Sequence, residues 1–399
     1  MNKPVQSRNA GFAAALVLLA IVVLFAMGTS LLKLGQNSRI GAVRGASEVA
    51  ARCAADSGLA KAVFEMNEKL KYELWNDSKL PQATDQPMPG CDATFSYTVQ
   101  WDAVNGYVIE STGRSSRAVK KVACTLSLSG PFEHAILTQE ALVLKGGSVV
   151  DWYNYEAGDE SLKIGTNSTA SGAINLSPGA IVNGDIVVGA GGNPDEVVNA
   201  SGATVTGQIY AAPQSYDFSP ATVPDWLESM PSGGTVDSEK PIISSGKYDG
   251  ISLGKGEIVT IDGPVTLYIT GDTSLSNSAQ LQINETNPDA SLILYLGGAL
   301  YCKNGGFINN ITRDAKKLKI YGLDSCTNLS IATDGELYGG IYVPQADMNL
   351  KNSVNIFGAV VAKNLYQGAA ANFNYDASLR DMAVSDEGVR FVVNKWREQ

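Results

Sequence analysis

The stretch GFAAALVLLAIVVLFAMGTSLLK, residues 11–33, decides how the N-terminal part of this 399-residue chain folds. As a helix, Phe12–Leu32 would be about 31 Å long at about 1.5 Å per residue, which is enough to cross the apolar core of a bilayer. Basic residues flank it on both sides: Lys3 and Arg8 before it, and Lys33, Arg39 and Arg44 after it. A short N-terminal flank normally stays in the cytoplasm, so we expect the rest of the chain to lie outside it.

Three interpretations of this segment remain open. It is a secretory signal peptide with small residues for cleavage at 26–28, a plain membrane anchor, or a helix exposed by cleavage between Gly11 and Phe12. The apolar run continues to Leu34 and passes without a turn signal into residues 36–72, which contain no proline. This continuity is unusual for a signal peptide, whose apolar region is short.

Residues 36–72 carry a stripe of mainly small side chains at alternating steps of four and three, which places them on one helix face. The stripe consists of Ala46, Ala50, Cys53, Ser57, Ala60 and Phe64. Small residues allow another helix or a sheet to approach closely. The plainer interpretation is that part of the stripe packs on the chain's own domain.

The basic leader, Gly11, the aromatic Phe12 and the apolar run together resemble the N-terminus of type IV pilins. Most pilins of this class carry Glu five positions after the cleavage point, where this chain has Leu16. Minor pilins of the PilX and GspK types lack that Glu. The resemblance implies a leader at 1–11 that a prepilin peptidase removes, followed by a transmembrane and pilin-like helix at 12–72. It also implies an inner-membrane protein with its ectodomain in the periplasm or, once assembled, in an extracellular pilus.

The net charge of the chain is −10, yet residues 1–60 carry +4 and the other 339 residues −14. An acidic ectodomain argues against nucleic acid as a partner and against a basic surface that docks on membranes. With a single histidine and no CxxC pair, a zinc site is not expected, and we predict no cofactor.

Two β regions follow the helix. Residues 73–90 break it with three prolines, and 91–130 read as a small antiparallel sheet with strands at 94–101, 107–112 and 118–127. From 131 to 380, short apolar runs alternate with Gly, Asn, Asp and Ser, and the last four runs start roughly 20–25 residues apart. This spacing predicts a β-solenoid, with a β-sandwich as the alternative. Residues 381–399 are assigned to a C-terminal tail.

Several stretches of this second region resemble the β-solenoid domain that follows PilX-type N-termini: GGSVVDWYNYEAG (146–158), GGIYVPQADMNL (339–350), NIFGAVVAKNL (355–365) and the terminal VNKWREQ (393–399). The resemblance implies a mainly β protein of pilus assembly, with other pilins and pilus assembly proteins as partners and no catalytic residues. The head would be a spacer, a tip or an adhesive surface in a type IV pilus or pseudopilus.

The alternative function is that of a membrane-anchored periplasmic β-helix that binds or cleaves glycans, since such enzymes use paired carboxylates. Four aspartates stand beside glycine, where a turn is the simpler explanation: Asp185, Asp262, Asp272 and Asp334. The aromatic residues Trp152, Tyr153 and Tyr155 have two open interpretations. They stack on sugars or contact another pilin, or they cap the first coil of the solenoid.

The five cysteines suit an oxidising compartment, and an odd number leaves at least one thiol unpaired in the monomer. Cys302 and Cys326 follow similar apolar runs at comparable offsets, so stacked coils would bring them together as a disulfide. Cys91 and Cys124 form a second candidate pair because both belong to the small sheet.

Overall fold

The computed structural model describes residues 10–72, 75–102, 106–155, 161–239, 242–380 and 389–398, and it forms two compact units. The first, which we call the helix–sheet unit, comprises Met1–Ser127 and Phe391–Gln399. The second, the solenoid, comprises Leu128–Arg390. Since both ends of the chain belong to the first unit, the solenoid is an insertion into it.

The chain begins with a long helix, four strands and the first coils of the solenoid. The N-terminal helix and the first strands are α1 (Ala10–Tyr72), β1 (Gln82–Pro87), β2 (Thr94–Asp102), β3 (Gly106–Ser115) and β4 (Ala118–Ser129). The first solenoid strands are β5 (Ile136–Thr138), β6 (Leu142–Leu144), β7 (Val149–Asn154), β8 (Lys163–Thr166), β9 (Ile174–Leu176), β10 (Ile181–Val182) and β11 (Asp185–Val188). The short helix α2 (Pro194–Val197) precedes β12 (Val198–Asn199), β13 (Thr204–Val205) and β14 (Ile209–Ala211), and α3 (Asp225–Glu228) follows them.

The remaining strands complete the solenoid and return to the first unit. They are β15 (Thr235–Val236), β16 (Gly246–Tyr248), β17 (Gly250–Leu253), β18 (Ile258–Ile261), β19 (Pro264–Ile269), β20 (Thr273–Ser276), β21 (Gln280–Ile283), β22 (Ser291–Leu296), β23 (Leu300–Lys303), β24 (Phe307–Asn310), β25 (Leu318–Gly322), β26 (Asn328–Ala332), β27 (Gly335–Leu350), β28 (Val354–Gln367), β29 (Phe373–Asp376) and β30 (Arg390–Glu398).

The sheet of the helix–sheet unit has the order β1-β2-β3-β4-β30, and β1 to β4 pair antiparallel with their chain neighbours. The three predicted strands correspond to β2, β3 and β4. The sequence predicts no strand at β1, because its three-proline neighbourhood reads as a break. The structure tolerates this composition since β1 is an edge strand, with an irregularity between Ala83 and Gln86 and with Pro87 at its end. The predicted tail also contains a strand, β30, which lies beside β4.

The C-terminal half of α1 packs on this sheet mainly through alanines, which Leu59 and Met66 join as buried residues. Ala51, Ala55 and Ala62 are fully buried against β2 and β3. Two glycines make the close approach feasible. A Cβ on Gly113 would overlap the Ala51 carbonyl oxygen, and a Cβ on Gly58 would overlap the hydroxyl of Ser111. The backbones of helix and sheet are therefore in near contact, which fixes the register of α1 on β3.

The strands of the solenoid pair in parallel and form three faces around one apolar interior. This pairing confirms the solenoid and excludes the β-sandwich, whose sheets are antiparallel. One inward row crosses seven successive strands in register: Leu267, Leu294, Ile320, Ile341, Val360, Ile136 and Ile164. Ile341, Val343, Ile356 and Val360 are all buried in this interior. Lys351 is exposed, whereas Asp347 and Lys363 are half-buried.

The order of the coils in space differs from their order in sequence. The last long strand, β28, pairs with β5 and β6, and β29 pairs with β7. The first coil therefore lies in the middle of the stack, beside the last one. Strands β8 to β14 continue away from this junction, and the chain then crosses to the opposite end, from which β15 to β27 build back towards it.

A crossover segment, residues 212–234, covers one face on its way between the two ends. Outward-facing tyrosines on that face stand in register on β19, β22, β25 and β27, and three of them, Tyr295, Tyr321 and Tyr342, are buried nonetheless. Tyr342 donates a hydrogen bond to the carbonyl of Ser219, 2.6 Å away, and Leu227 of α3 is fully buried. The tyrosine row thus forms the surface on which the crossover segment packs as it runs between the two ends of the stack.

Buried polar side chains connect the last coil to the first. The Gln367 Oε1 atom accepts hydrogen bonds from the amide of Lys145 at 2.8 Å and from the hydroxyl of Ser148 at 2.7 Å. Gln367 also donates to the carbonyl of Ala371 at 3.2 Å. These hydrogen bonds satisfy backbone amide and carbonyl groups at a corner where two distant chain segments meet.

Candidate functional surfaces

The N-terminal half of α1 is a continuous, exposed apolar surface. From Leu16 to Leu34 its leucines, valines and isoleucines are all about half exposed or more, and none of them packs on the sheet. Within the described residues, α1 is the one helix long and apolar enough to cross a membrane. This half of α1 is a candidate membrane span.

The predicted cleavage point lies within α1, whose backbone is helical through Gly11 and Phe12. The side chains of both residues, and the whole of 1–9, lie outside the described residues. Cleavage after Gly11 therefore stays a prediction.

The small-residue stripe of α1 does not form the contact with the sheet. Ala46, Cys53, Ala60 and Phe64 are exposed, and Ala50 and Ser57 are half-buried. The buried face is shifted by about one residue, to Ala51, Ala54 and Ala55, because glycines in β3 and α1 allow the tightest approach there. The stripe, with Phe64 62 % exposed, is thus left on the solvent side of α1.

The three predicted aromatic residues lie together with rings that the sequence did not link to them. Trp152 packs against Tyr375 at 5.4 Å and Tyr155 at 5.1 Å, and the guanidinium of Arg380 lies 5.4 Å over its ring. The expectation that these aromatics cap the first coil is wrong, because that coil is flanked on both sides, by β29 and by β10.

The neighbouring Tyr153 extends the cluster along the outer face. Its ring lies 4.9 Å from that of Phe357, which in turn stacks at 4.4 Å on Tyr338. Parallel register produces this ladder, since Tyr338 and Phe357 are direct partners on β27 and β28. The exposed members, Tyr153 and Tyr155, define what we call the aromatic patch.

All five cysteines are free thiols in this structure, so neither predicted disulfide is present. Cys302 lies opposite Ile331 of the next coil, five residues beyond Cys326. The comparable offsets in sequence fail because the loop before β26 differs in length from the loop before β23. Cys124 lies opposite Ile109 in the sheet, whereas Cys91 is exposed in the turn before β2.

Burial keeps three of these thiols protonated. Loss of solvation raises the pKa of Cys302 to about 12 and those of Cys124 and Cys326 to about 11. Such thiols are poor nucleophiles near neutral pH.

The four aspartates beside glycine hold turns between successive coils. Asp185 accepts from the amide of Gln208 at 2.8 Å, Asp272 from that of Ala299 at 2.8 Å, and Asp334 from that of Ser353 at 3.1 Å. Asp262 accepts from the side chain of Asn284 at 2.8 Å. Among the described residues, no three His, Cys, Asp or Glu side chains are grouped so that they could hold a metal ion.

Comparison with known proteins adds a family match in the C-terminal half. The model of a domain of unknown function, DUF7305, matches residues 222–382. No curated protein matches the chain.

Two of the solved structures that are similar to the chain are a pilin and an ice-binding domain. The competence-associated pilin ComZ from Thermus thermophilus is 12 % identical, with 88 % of this chain and 97 % of that chain covered and a TM-score of 0.25. The DUF3494 domain of an ice-binding protein from Shewanella frigidimarina is 16 % identical, with 61 % and 94 % covered and a TM-score of 0.31. These TM-scores are too low to support an argument, so the fold assignment rests on the helix, the strand pairing and the register.

Proposed function

We propose that this chain is a pilin-like structural protein, held in the inner membrane by α1, with the solenoid as a non-catalytic head in a type IV pilus or pseudopilus. One observation carries the proposal. A single continuous helix exposes an apolar half long enough to span a bilayer and docks its other half on an antiparallel sheet. This arrangement suits a subunit that is stored in a membrane and assembled through its helix.

The proposed topology has the N-terminus in the cytoplasm, the apolar half of α1 in the membrane, and the sheet of the helix–sheet unit and the solenoid in the periplasm. Its processing partner is a prepilin peptidase, and its assembly partners are other pilins or pilus assembly proteins. The exposed stripe with Phe64 is available to such helices because the sheet does not use it.

The test is the mature N-terminus, determined by mass spectrometry on protein from cells. We expect Phe12, and we expect Gly11→Val to block cleavage because the peptidase requires a minimal side chain before the bond. Gly28→Val is the matched control, since it lies in the same apolar helix with open space around it. A mature chain that starts at Met1 or at Thr29 would contradict the proposal.

The aromatic patch is the surface that we assign to adhesion on glycans or cell surfaces. Tyr155 is 57 % exposed beside the Trp152 ring, and exposed aromatic faces stack well on sugars. We expect Tyr155→Ala to abolish retention on immobilised glycan, and Tyr301→Ala, at a separate half-buried tyrosine, to leave it unchanged. Turnover of any cell-wall or capsular glycan by the wild-type chain would contradict the non-catalytic head.

A further inference from the structure

The hairpin between β3 and β4 lies at the end of the sheet that is nearer to the apolar half of α1. Gly113 lies against the backbone of α1 at Ala51, whereas Ser111, further from the hairpin turn, lies against Gly58. Strand β3 therefore runs towards the N-terminus of α1, and the turn at residues 115–118 extends beyond Ala51 in that direction. In α1 the side chains at 15–46 are exposed and Ser47 is the first half-buried one, so the sheet covers the helix from about Ser47 onwards.

This hairpin is basic. Residues 112–121, which we call the basic hairpin, contain no acidic residue and four basic ones, Arg114, Arg117, Lys120 and Lys121. Lys120 forms a salt bridge with Glu398 at the end of β30, which places that end of β30 beside the hairpin. The other three basic side chains are exposed and form no salt bridge within the part of the chain that the structure describes. Three cations of the hairpin are thus free to attract an external anion.

The adjoining part of α1 is basic as well. Residues 33–46 contain Lys33, Arg39 and Arg44, all exposed, and no acidic residue. Two exposed acidic residues, Asp85 and Asp92, lie at the same end of the sheet but on the side of β1 and β2, away from β30. Counted over 33–52, 85–96, 112–121 and 396–398, nine basic residues stand against four acidic ones. The acidic net charge of the ectodomain hides this local excess of positive charge.

The basic hairpin is within reach of a bilayer that α1 crosses. Ser47 follows Leu32, the end of the predicted span, by 15 residues, or about 22 Å along a straight helix, of which the head groups occupy about 5–8 Å. Gly35, Gly41 and Gly45 have open space around them and weaken the helix in between. A bend there, or a tilt of about 20° that is common for membrane helices, brings long side chains of the hairpin to about a Debye length from the head groups.

We propose that the basic hairpin binds anionic phospholipid head groups of the bilayer that α1 spans. The inference rests on the proposed function, because it requires α1 in a membrane. Basic segments next to a membrane span are attracted to anionic lipids, and the span itself keeps those lipids at a high effective concentration beside the hairpin. The contact would hold the sheet against the membrane surface and fix the orientation of the ectodomain before assembly.

The experiment places a fluorophore on the basic hairpin of the full chain in vesicles. Ser116→Cys, at an exposed position of the turn, is labelled in a chain whose exposed Cys53 and Cys91 are replaced by serine. Quenching by a lipid with a spin-labelled head group reports contact with the membrane surface. We expect at least about threefold stronger quenching in vesicles of equal parts phosphatidylglycerol and phosphatidylcholine than in phosphatidylcholine alone, and loss of this difference at about 500 mM NaCl.

Charge variants of the labelled chain test whether the hairpin is responsible. Arg117→Glu/Lys121→Glu should reduce quenching in the anionic vesicles to its level in phosphatidylcholine, and Arg117→Gln/Lys121→Gln should give an intermediate value. The control Lys145→Glu/Lys351→Glu makes the same charge change at exposed solenoid sites and should leave quenching unchanged. Hydrogen exchange of β3 and β4 that equals the wild-type exchange shows that the variants are folded.

Flotation of the vesicles after alkaline extraction separates this inference from the proposed function. Equal quenching in both kinds of vesicle, by a chain that floats with them, overturns the inference and leaves the proposed function intact. A chain that does not float with them contradicts the membrane span, and both proposals with it. Equal quenching together with binding of polyglutamate in detergent, lost in Arg117→Glu/Lys121→Glu, would assign the hairpin to an acidic protein and overturn the lipid contact.

Discussion

The two units of the molecule use apolar side chains in opposite ways. In the helix–sheet unit, large apolar residues from Leu16 to Leu34 are exposed, while mainly alanines form the contact between helix and sheet. In the solenoid, branched apolar residues fill a continuous interior and the exposed surface is acidic. The first unit leaves a long apolar surface exposed, whereas the second buries most of its apolar side chains in its own interior.

In both units, a strand that is distant in sequence completes the structure. The helix–sheet unit is completed by β30, about 260 residues after β4 in sequence. The solenoid is completed where β28 meets β5, at a separation of more than 200 residues. Both units therefore depend on contacts between distant segments, and the first cannot be complete until the second has been synthesised.

The largest effect is expected from a charge in the solenoid interior. Val360→Asp would place a carboxylate between Ile341 and Ile136 at the junction of the last and first coils, with no partner. We expect the solenoid to lose about 4 kcal/mol or more of stability, measured by thermal melting. The exposed Lys351→Asp is the control. Membrane fractionation should be unaffected, and an unchanged melting temperature would refute the coil assignment.

A smaller effect is expected where α1 meets the sheet. Gly113→Ala introduces a Cβ that overlaps the Ala51 carbonyl oxygen, so helix and sheet have to separate. We expect a loss of about 3 kcal/mol, confined to the helix–sheet unit and measurable by hydrogen exchange of β2 and β3. Gly41→Ala, which has open space around it in the same helix, should stabilise α1 by up to about 1 kcal/mol. Equal effects at the two glycines would disprove the close packing.

The polar junction of the solenoid should show the next effect. Gln367→Ala removes the acceptor of the part-buried Lys145 amide and of the buried Ser148 hydroxyl. A loss of about 2 kcal/mol is expected from denaturant unfolding of the full chain. The exposed Asn175→Ala should change little. If both variants unfold alike, the junction is not held by this side chain.

The thiols provide a test that needs no amino-acid substitution. At pH 8 an alkylating reagent should modify Cys53 and Cys91 and spare the three buried cysteines, with all five modified after denaturation. Because burial raises the pKa of these thiols, their contribution to stability is present below about pH 8.5 and declines as the pH rises towards 11–12. A Cys302–Cys326 disulfide in a non-reducing peptide map would contradict the observed register.

Sequence patterns predicted which elements exist better than they predicted which elements lie side by side. The apolar run, the three strands β2 to β4 and the solenoid follow from composition and periodicity, which act over short stretches of chain. The burial of Val360 was predictable because it lies in the apolar run Ala359–Ala362 of β28. The edge strand β1 was not, since proline and aspartate have low strand propensity and only pairing with β2 holds them extended.

The misplaced sites share one physical cause. The disulfide between Cys302 and Cys326 and the cap at Trp152 both assumed that coils stack in sequence order with equal loops. Loop lengths between coils vary, so a small difference moves a cysteine five residues along its neighbour. The place of Lys395, Trp396 and Arg397 was equally hidden, because only the pairing of β30 with β4 brings them to the sheet.

The sequence by itself determined a membrane-length helix, a β-rich remainder built from solenoid repeats and an acidic charge excess. Each of these is a property of local composition, since hydropathy, periodicity and charge need no knowledge of distant contacts. Only the tertiary structure decided that β30 returns to the first sheet, that the first coil lies beside the last, and that the crossover segment covers the tyrosine row. These features depend on which distant segments pair, and the hydrophobic pattern along one strand is compatible with many partners until register and packing select one.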